Sequence, residues 1–206
     1  MTNKKIVYVD GFKIRMNLDL EFAICHEQNL DFNSYAPKFY IPSDEVWIDA
    51  RFKDEQELLL RIETEEVAGA TADERRETRK KLFLDKGQLP EFKVESEIEN
   101  GISVVKVRGE LIRKFIDPDF MQGGHEFVYD YVPKGEVWLD FKNDPAELPF
   151  ILHHEIVERN LMEKGESYDS GHDAAIAAEK KMRRGAGACY PGDGKYTSKN
   201  LSEYYV

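Results

Sequence analysis

Val9–Phe22, VDGFKIRMNLDLEF, laid without a gap over Val107–Phe120, VRGELIRKFIDPDF, brings Val9/Val107, Gly11/Gly109, Ile14/Ile112, Arg15/Arg113, Asp19/Asp117 and Phe22/Phe120 onto one another. A second pair of blocks follows. Tyr40–Asp49, YIPSDEVWID, lies over Tyr131–Asp140, YVPKGEVWLD, sharing Tyr, Pro, Glu, Val, Trp and Asp, and the chain's two tryptophans coincide. The mismatches Ile41/Val132 and Ile48/Leu139 keep their apolar character, while the connector between blocks is seven residues longer in the first copy. The chain reads as two copies of one pattern, too few for a solenoid.

Each copy predicts the same plan. IVYVDGFKIR and ISVVKVRGELIRKF are rich in Val, Ile and aromatic residues and read as strands, with hairpin turns at Asp10-Gly11 and Asn100-Gly101. The Tyr-x-Pro-x-x-Glu-Val-Trp-x-Asp block reads as a further strand, with Val137 and Leu139 on one face and Glu136, Trp138 and Asp140 on the other. Two helices are expected after it, over about 54–68 and 72–86 in copy one and about 145–164 and 170–184 in copy two, the last capped by Ser170. The expectation is an α+β fold in which antiparallel strands precede a helical hairpin in each copy. Residues 1–88 form the first copy, 89–185 the second and 186–206 a C-terminal arm, with the boundary near 87–90.

Composition narrows the function classes. The 206 residues carry a formal charge of −11, which disfavours a general nucleic-acid binder, since phosphate neutralisation needs a basic face. The runs Arg75–Lys81 and Lys180–Arg184 read as solvated helix faces. No apolar stretch approaches the ~20 residues of a membrane span, the start lacks a signal-peptide core, and two distant cysteines, Cys25 and Cys189, make no disulfide framework. A cytosolic setting follows most simply. The aromatic end, Tyr204-Tyr205-Val206, is expected to dock on the body, on a protein partner or on a second copy.

Chemistry concentrates in copy two, in FILHHEIVERNLMEKGESYDSGHDAAIAAEKKM. At about 100° per residue, Phe150, Ile151, His154, Val157, Glu158, Leu161 and Met162 share one arc, with Glu155 at its rim and His153 and Arg159 on the polar side. A glutamate in an apolar face needs a partner, a proton or a metal. The next helix supplies one, because His172, Ile176 and Glu179 share its face, and an antiparallel pairing brings His172 to the height of Glu158. His154, Glu158 and His172 form a ligand set suited to zinc or another divalent transition metal such as iron or manganese. Glu155 is then placed as general base, with Glu179, Asp140 and His125 as orienting groups around the ligands. His26 and His153 rank lower.

His154-Glu155-Ile156-Val157-Glu158 resembles the His-Glu-x-x-His helix of zincin-type metallopeptidases, with His172 as a third ligand downstream. The likeness covers about 20 residues, and Glu158 stands where that pattern has its second histidine. It implies zinc and hydrolysis of a peptide or other acyl bond. The longer run from the Tyr131 block to Gly171-His172-Asp173-Ala174-Ala175 is similar to uncharacterised bacterial and phage proteins, which implies no activity.

Copy one serves as an internal control. An offset of 90 sets His153, His154, Glu155 and Glu158 against Glu63, Thr64, Glu65 and Ala68. An offset of 100 sets His172 against Ala72, and the strand-block offset sets His125 against Ser34. Every proposed ligand differs between copies. Two readings result: a metal-dependent hydrolase with one active half, or a non-enzymatic structural or protein-interaction module, such as a phage-type component, with a buried polar network.

Overall fold

The computed structural model describes residues 4–28, 38–67, 69, 71, 74, 77–78, 91–99, 101–191, 193 and 200–206. The second helix expected in copy one lies largely outside these residues, as do Ser34, Ala68, Ala72 and the expected boundary at 87–90. The fold is α+β and divides into two units, one of Met1–Arg75 with Cys189–Val206 and one of Arg76–Ala188.

Unit 1 contains β1 (Lys5–Val9), α1 (Gly11–Asn17), β2 (Cys25–Glu27), β3 (Glu45–Asp49), a 3-10 segment at Ala50–Glu55 and α2 (Gln56–Val67). Unit 2 contains β4 (Lys93–Glu99), β5 (Ile102–Val107), α3 (Gly109–Phe115), β6 (Gly123–His125), β7 (Glu136–Asp140), α4 (Leu148–Glu163) and α5 (Tyr168–Gly185). The order strand, helix, strand, strand, helix thus occurs in both. Among the described residues no helix is long and apolar enough to cross a membrane.

Neither sheet is purely antiparallel, which corrects the sequence expectation. The strand orders are β1-β3-β2 and β4-β5-β7-β6. β1 runs parallel to β3 and β5 parallel to β7, while β2, β6 and β4 pair antiparallel with their neighbours. A parallel pair needs a long crossover, and here α1 or α3 and the following strand lie within it. Of the two expected hairpins, the one at Gly101 forms between β4 and β5, with Gly101 at φ 82°. The one at Asp10-Gly11 does not. Asp10 instead caps α1, accepting from the Lys13 N–H at 2.9 Å. Such N-caps favour short polar side chains, and the short KIR and LIR stretches that follow lie in helix rather than strand.

The glycine opening each of these helices is required by contact. A Cβ on Gly11 would overlap Asp49 Oδ2, and one on Gly109 would overlap Asp140 Oδ2. Those carboxylates pair with Arg15 and Arg113, at 3.1 and 2.9 Å, with side chains no more than 3 % exposed. The ion pair therefore joins each arginine to the last residue of the Trp-x-Asp strand. Asp19 pairs with Lys38 and Tyr40.

β7 is covered on both faces. Val137 and Leu139 pack with Ile102, Val104 and Ile151 beneath α4, and Trp138 packs with Val105, Val107, Ile112, Phe120 and Val132. Alternation along the strand divides these two cores as the sequence predicts. In unit 1 Trp47 sits in the equivalent core with Val9, Ile14, Phe22 and Tyr204. Tyr204 comes from the C-terminal segment, which lies along β1. The Asp10 N–H bonds Tyr204 O at 2.8 Å, the Val206 N–H bonds Tyr8 O at 3.0 Å, and Tyr205 bridges Val9. Among the described residues beyond 185, Tyr190 is buried as well, and its hydroxyl donates to Arg15 O at 2.7 Å.

Candidate metal centre

α4 and α5 form the expected antiparallel pair. Lys164 ends α4, and Gly165, at φ 96°, closes it. The Gly165 N–H bonds Met162 O at 2.9 Å and the Glu166 N–H bonds Leu161 O at 3.1 Å. This is the Schellman arrangement, which glycine favours because it tolerates positive φ. Ser167, rather than the expected Ser170, caps α5 by accepting from the Ser170 N–H at 3.3 Å. The short turn returns the chain at once, so His172 faces back toward Glu158. Gly171 lets the helices come close: a Cβ there would meet Glu158 Cγ at 3.5 Å and Met162 Cγ at 3.3 Å.

Three ligand atoms converge on this seam. His172 Nδ1 is 2.8 Å from Glu158 Oε2, and His154 Nε2 is 3.2 Å from both. Four ligands about 2.0–2.1 Å from a tetrahedral ion stand roughly 3.3 Å apart, so the triangle is close to the size an ion would impose. His154, Glu158 and His172 can hold a metal ion. The three side chains are 12 %, 4 % and 22 % exposed, which leaves the His172 side the most open. Tyr168 flanks it there, its ring nearly parallel to His172 at 5.2 Å.

The hydrogen bonds fix which nitrogen is free. Glu179 Oε2 lies 2.9 Å from His154 Nδ1, and a carboxylate can only accept, so Nδ1 carries a proton and Nε2 turns to the centre. Two nitrogens and a carboxylate oxygen at these distances repel unless a cation or shared protons lie among them. In the metal-free cluster His154 supplies that charge: burial opposes its protonation, but bonds to Glu158 and Glu179 outweigh burial and raise its pKa to about 10. Glu158 is held well below the usual carboxylate range, against the effect of burial, by the imidazoles of His125, His154 and His172. Glu179 is likewise lowered despite burial, by His154 and Arg183.

Glu155 differs from every other acid of the cluster. It lies within the buried face at 9 % exposure, not at the rim, because the packed face of α4 is turned toward Glu155, Glu158 and Arg159. Its carboxylate makes no hydrogen bond or ion pair among the described residues, and it rests against Gly123, where a Cβ would stand 3.0 Å from Oε1. Burial raises its pKa to about 7, against the pull of His154 and His125.

His125 reaches the cluster from β6. It is fully buried, and Nδ1 accepts from the Phe127 N–H at 3.3 Å, so the proton sits on Nε2. Nε2 forms no hydrogen bond among the described residues; Glu158 Oε1 lies 3.6 Å away. A protonated Nε2 turned toward the Glu158 carboxylate has no lone pair to offer an ion, so His125 is not a ligand. The strand registers place His125 opposite Val137 and Glu27 opposite Val46, so the unit 1 counterpart of His125 is Glu27, which corrects Ser34. The longer connector of copy one is therefore inserted after this strand.

Asp140 does not join the cluster; it pairs with Arg113 and accepts from the Lys142 N–H, as Asp49 serves Arg15 and Arg51. Arg159, expected on the polar side, is buried and binds Glu126 through Nε and Nη2 at 3.2 and 2.8 Å. Arg183, expected on a solvated face, is fully buried. Its signal was available in the sequence: Glu179 and Arg183 lie four residues apart, a spacing that pairs them on one helical face. In unit 1 the corresponding helix carries no imidazole; the Glu63 carboxylate accepts from the Glu27 N–H, and the Thr64 hydroxyl bonds back to Leu60 O. No family model, curated protein or solved structure matches this chain.

Proposed function

We propose that unit 2 is a metal-dependent hydrolase of a peptide or other acyl bond, with zinc or a similar divalent transition ion held by His154, Glu158 and His172. The observation that supports this most is the triangle of ligand atoms within 3.2 Å of one another across two helices. The buried charges favour a cation at this place. Glu147, Glu158 and Glu179 bring three negative charges, Arg183 brings one positive, and all four residues are at most 5 % exposed. That excess of negative charge calls for compensation by a cation or by protons on the imidazoles, as burial of charge requires.

A divalent ion in this position supplies Lewis acidity, polarising an acyl carbonyl and making water a better nucleophile near neutral pH. The chain supplies the rest. Glu179 holds the His154 tautomer, His125 points its Nε2–H at Glu158, and Glu155 accepts and returns a proton. With its pKa at about 7, Glu155 is balanced between base and acid at neutral pH, where such exchange is most effective. The resemblance of the His154–Glu158 segment to zincin-type helices accords with this assignment of roles, with glutamate taking the second ligand position.

Metal analysis of protein purified without added metal tests the proposal. About one equivalent of a divalent transition ion is expected, absent from His154→Ala and His172→Ala, together with hydrolysis of a peptide or ester panel that chelation abolishes. Folded wild-type protein holding no ion, even after zinc is added, would reduce the cluster to a proton-sharing network and favour an interaction module instead.

A further inference from the structure

Among the buried charged groups outside the ligand set, Arg183 and Glu147 are both 0 % exposed and adjoin the cluster through Glu179. Arg183 lies over the Phe150 ring at 4.5 Å and divides its donors between two carboxylates. Nε gives to Glu179 Oε1 at 2.7 Å, while Nη1 and Nη2 give to Glu147 at 3.3 and 2.5 Å. Glu179 is divided in turn, with Oε1 on Arg183 and Oε2 on His154 Nδ1 at 2.9 Å. A continuous chain of charge-assisted bonds therefore runs from Glu147 at the start of α4 to the imidazole at the centre.

We propose that Arg183, anchored by Glu147, is a positioning residue for the metal centre: it fixes Glu179 so that His154 keeps its proton on Nδ1 and presents Nε2 toward Glu158 and His172. This rests on the metal reading given above. A guanidinium suits the task because its planar fork holds two acceptors in set directions, whereas an ammonium is a point charge that cannot fix both. Stability alone does not call for this arrangement, since buried ion pairs are often replaceable by apolar side chains without loss. Arg183 also sets the charge of the pocket, for without it a divalent ion would leave one negative charge uncompensated. A group bonding the far nitrogen of a ligating histidine, here Glu179, typically changes metal affinity about 10–100-fold, and Arg183 acts through it.

The test compares wild type with Arg183→Lys on the full chain, using zinc competition against a chromophoric chelator and nitrogen NMR of the His154 ring in metal-free protein. The expected result is zinc affinity lowered about 10–100-fold and loss of the slowly exchanging Nδ1–H signal that the bond to Glu179 gives the His154 ring. Arg183→Lys that folds, binds zinc within about twofold of wild type and keeps Nδ1–H would overturn the proposal. If Arg183→Lys does not fold, Glu147→Gln replaces it under the same two criteria, since it loosens the anchor and leaves Arg183 in place. If wild type itself binds no zinc, the metal reading fails separately, and the His154 ring spectrum still decides whether Arg183 orients it.

Discussion

Arg15 in unit 1 bonds Phe22 O, Ala23 O and Asp49 at 3.0, 2.9 and 3.1 Å; Arg113 in unit 2 bonds Phe120 O, Met121 O and Asp140 at 3.0, 3.0 and 2.9 Å. The frames agree bond for bond. The groups laid over them do not. Unit 1 has one described histidine, His26, whose Nε2 accepts from the Ala23 N–H and whose pKa falls to about 3 through burial beside Lys38. Unit 2 brings three imidazoles and several carboxylates into one seam. The same strand and arginine frame forms in unit 1 without them, so that frame does not itself require the charges of unit 2, which supports the proposal of a site there.

The largest effects should come from breaking the frames one at a time. Gly109→Ala drives a methyl into Asp140 and should cost about 3–5 kcal/mol by disrupting a buried ion pair, with zinc binding lost alongside. Gly11→Ala should cost unit 1 a similar amount and leave zinc affinity unchanged. Thermal denaturation followed with and without zinc reads both, and equal loss of zinc in the two variants would refute the division of roles.

Next comes the acid without a partner. Glu155 titrates near 4.5 when unfolded and about 7 when folded. The fold favours its protonated form, so that contribution is full below about 4.5 and is lost as pH rises through about 7. Glu155→Gln stays neutral throughout. Metal-free Glu155→Gln should match wild type near pH 4 and exceed it by on the order of 2–3 kcal/mol at pH 8, while hydrolysis falls by at least ~100-fold. A denaturant series across pH checks the first outcome and an activity assay the second.

The two units also differ in proton occupancy. Between pH 5 and 8, ring NMR should find His26 neutral and metal-free His154 charged. Zinc binding at pH 7 should then expel about one proton, visible by calorimetry in buffers of different ionisation enthalpy. The smallest difference lies at the helix starts. Asp10→Ala should cost about 1 kcal/mol by removing the cap of α1; Arg108, at the same place in unit 2, makes no cap bond, so Arg108→Ala should cost almost nothing.

Sequence periodicity located what rests on long regular patterns. The α4 and α5 helices, the two faces of β7 and the meeting of His154, Glu158, His172 and Glu179 all follow from spacing alone. It did not locate features decided by tertiary contact. Strand polarity in β1 and β5 depends on which neighbour pairs with them, and α1 is only seven residues long, too short for a helical period to outweigh its β-branched flank. The burial of Arg159, and the second carboxylate that Arg183 holds besides its local partner Glu179, depend on residues 33 and 36 positions away, beyond any local window. Asp140 stands apart from the cluster because its partner, Arg113, lies on the opposite face of the strand from α4, a relation that the repeat of the pair in Arg15 and Asp49 makes legible.

Unit 1 draws its outer edge from residues that follow all of unit 2 in the chain. A ribosome therefore delivers the whole of residues 76–188 before it delivers Tyr204, which fills the core around Trp47. Domains commonly mature in the order they are made; here the earlier one must wait, its β1 edge and aromatic pocket uncovered, until the later one has been synthesised.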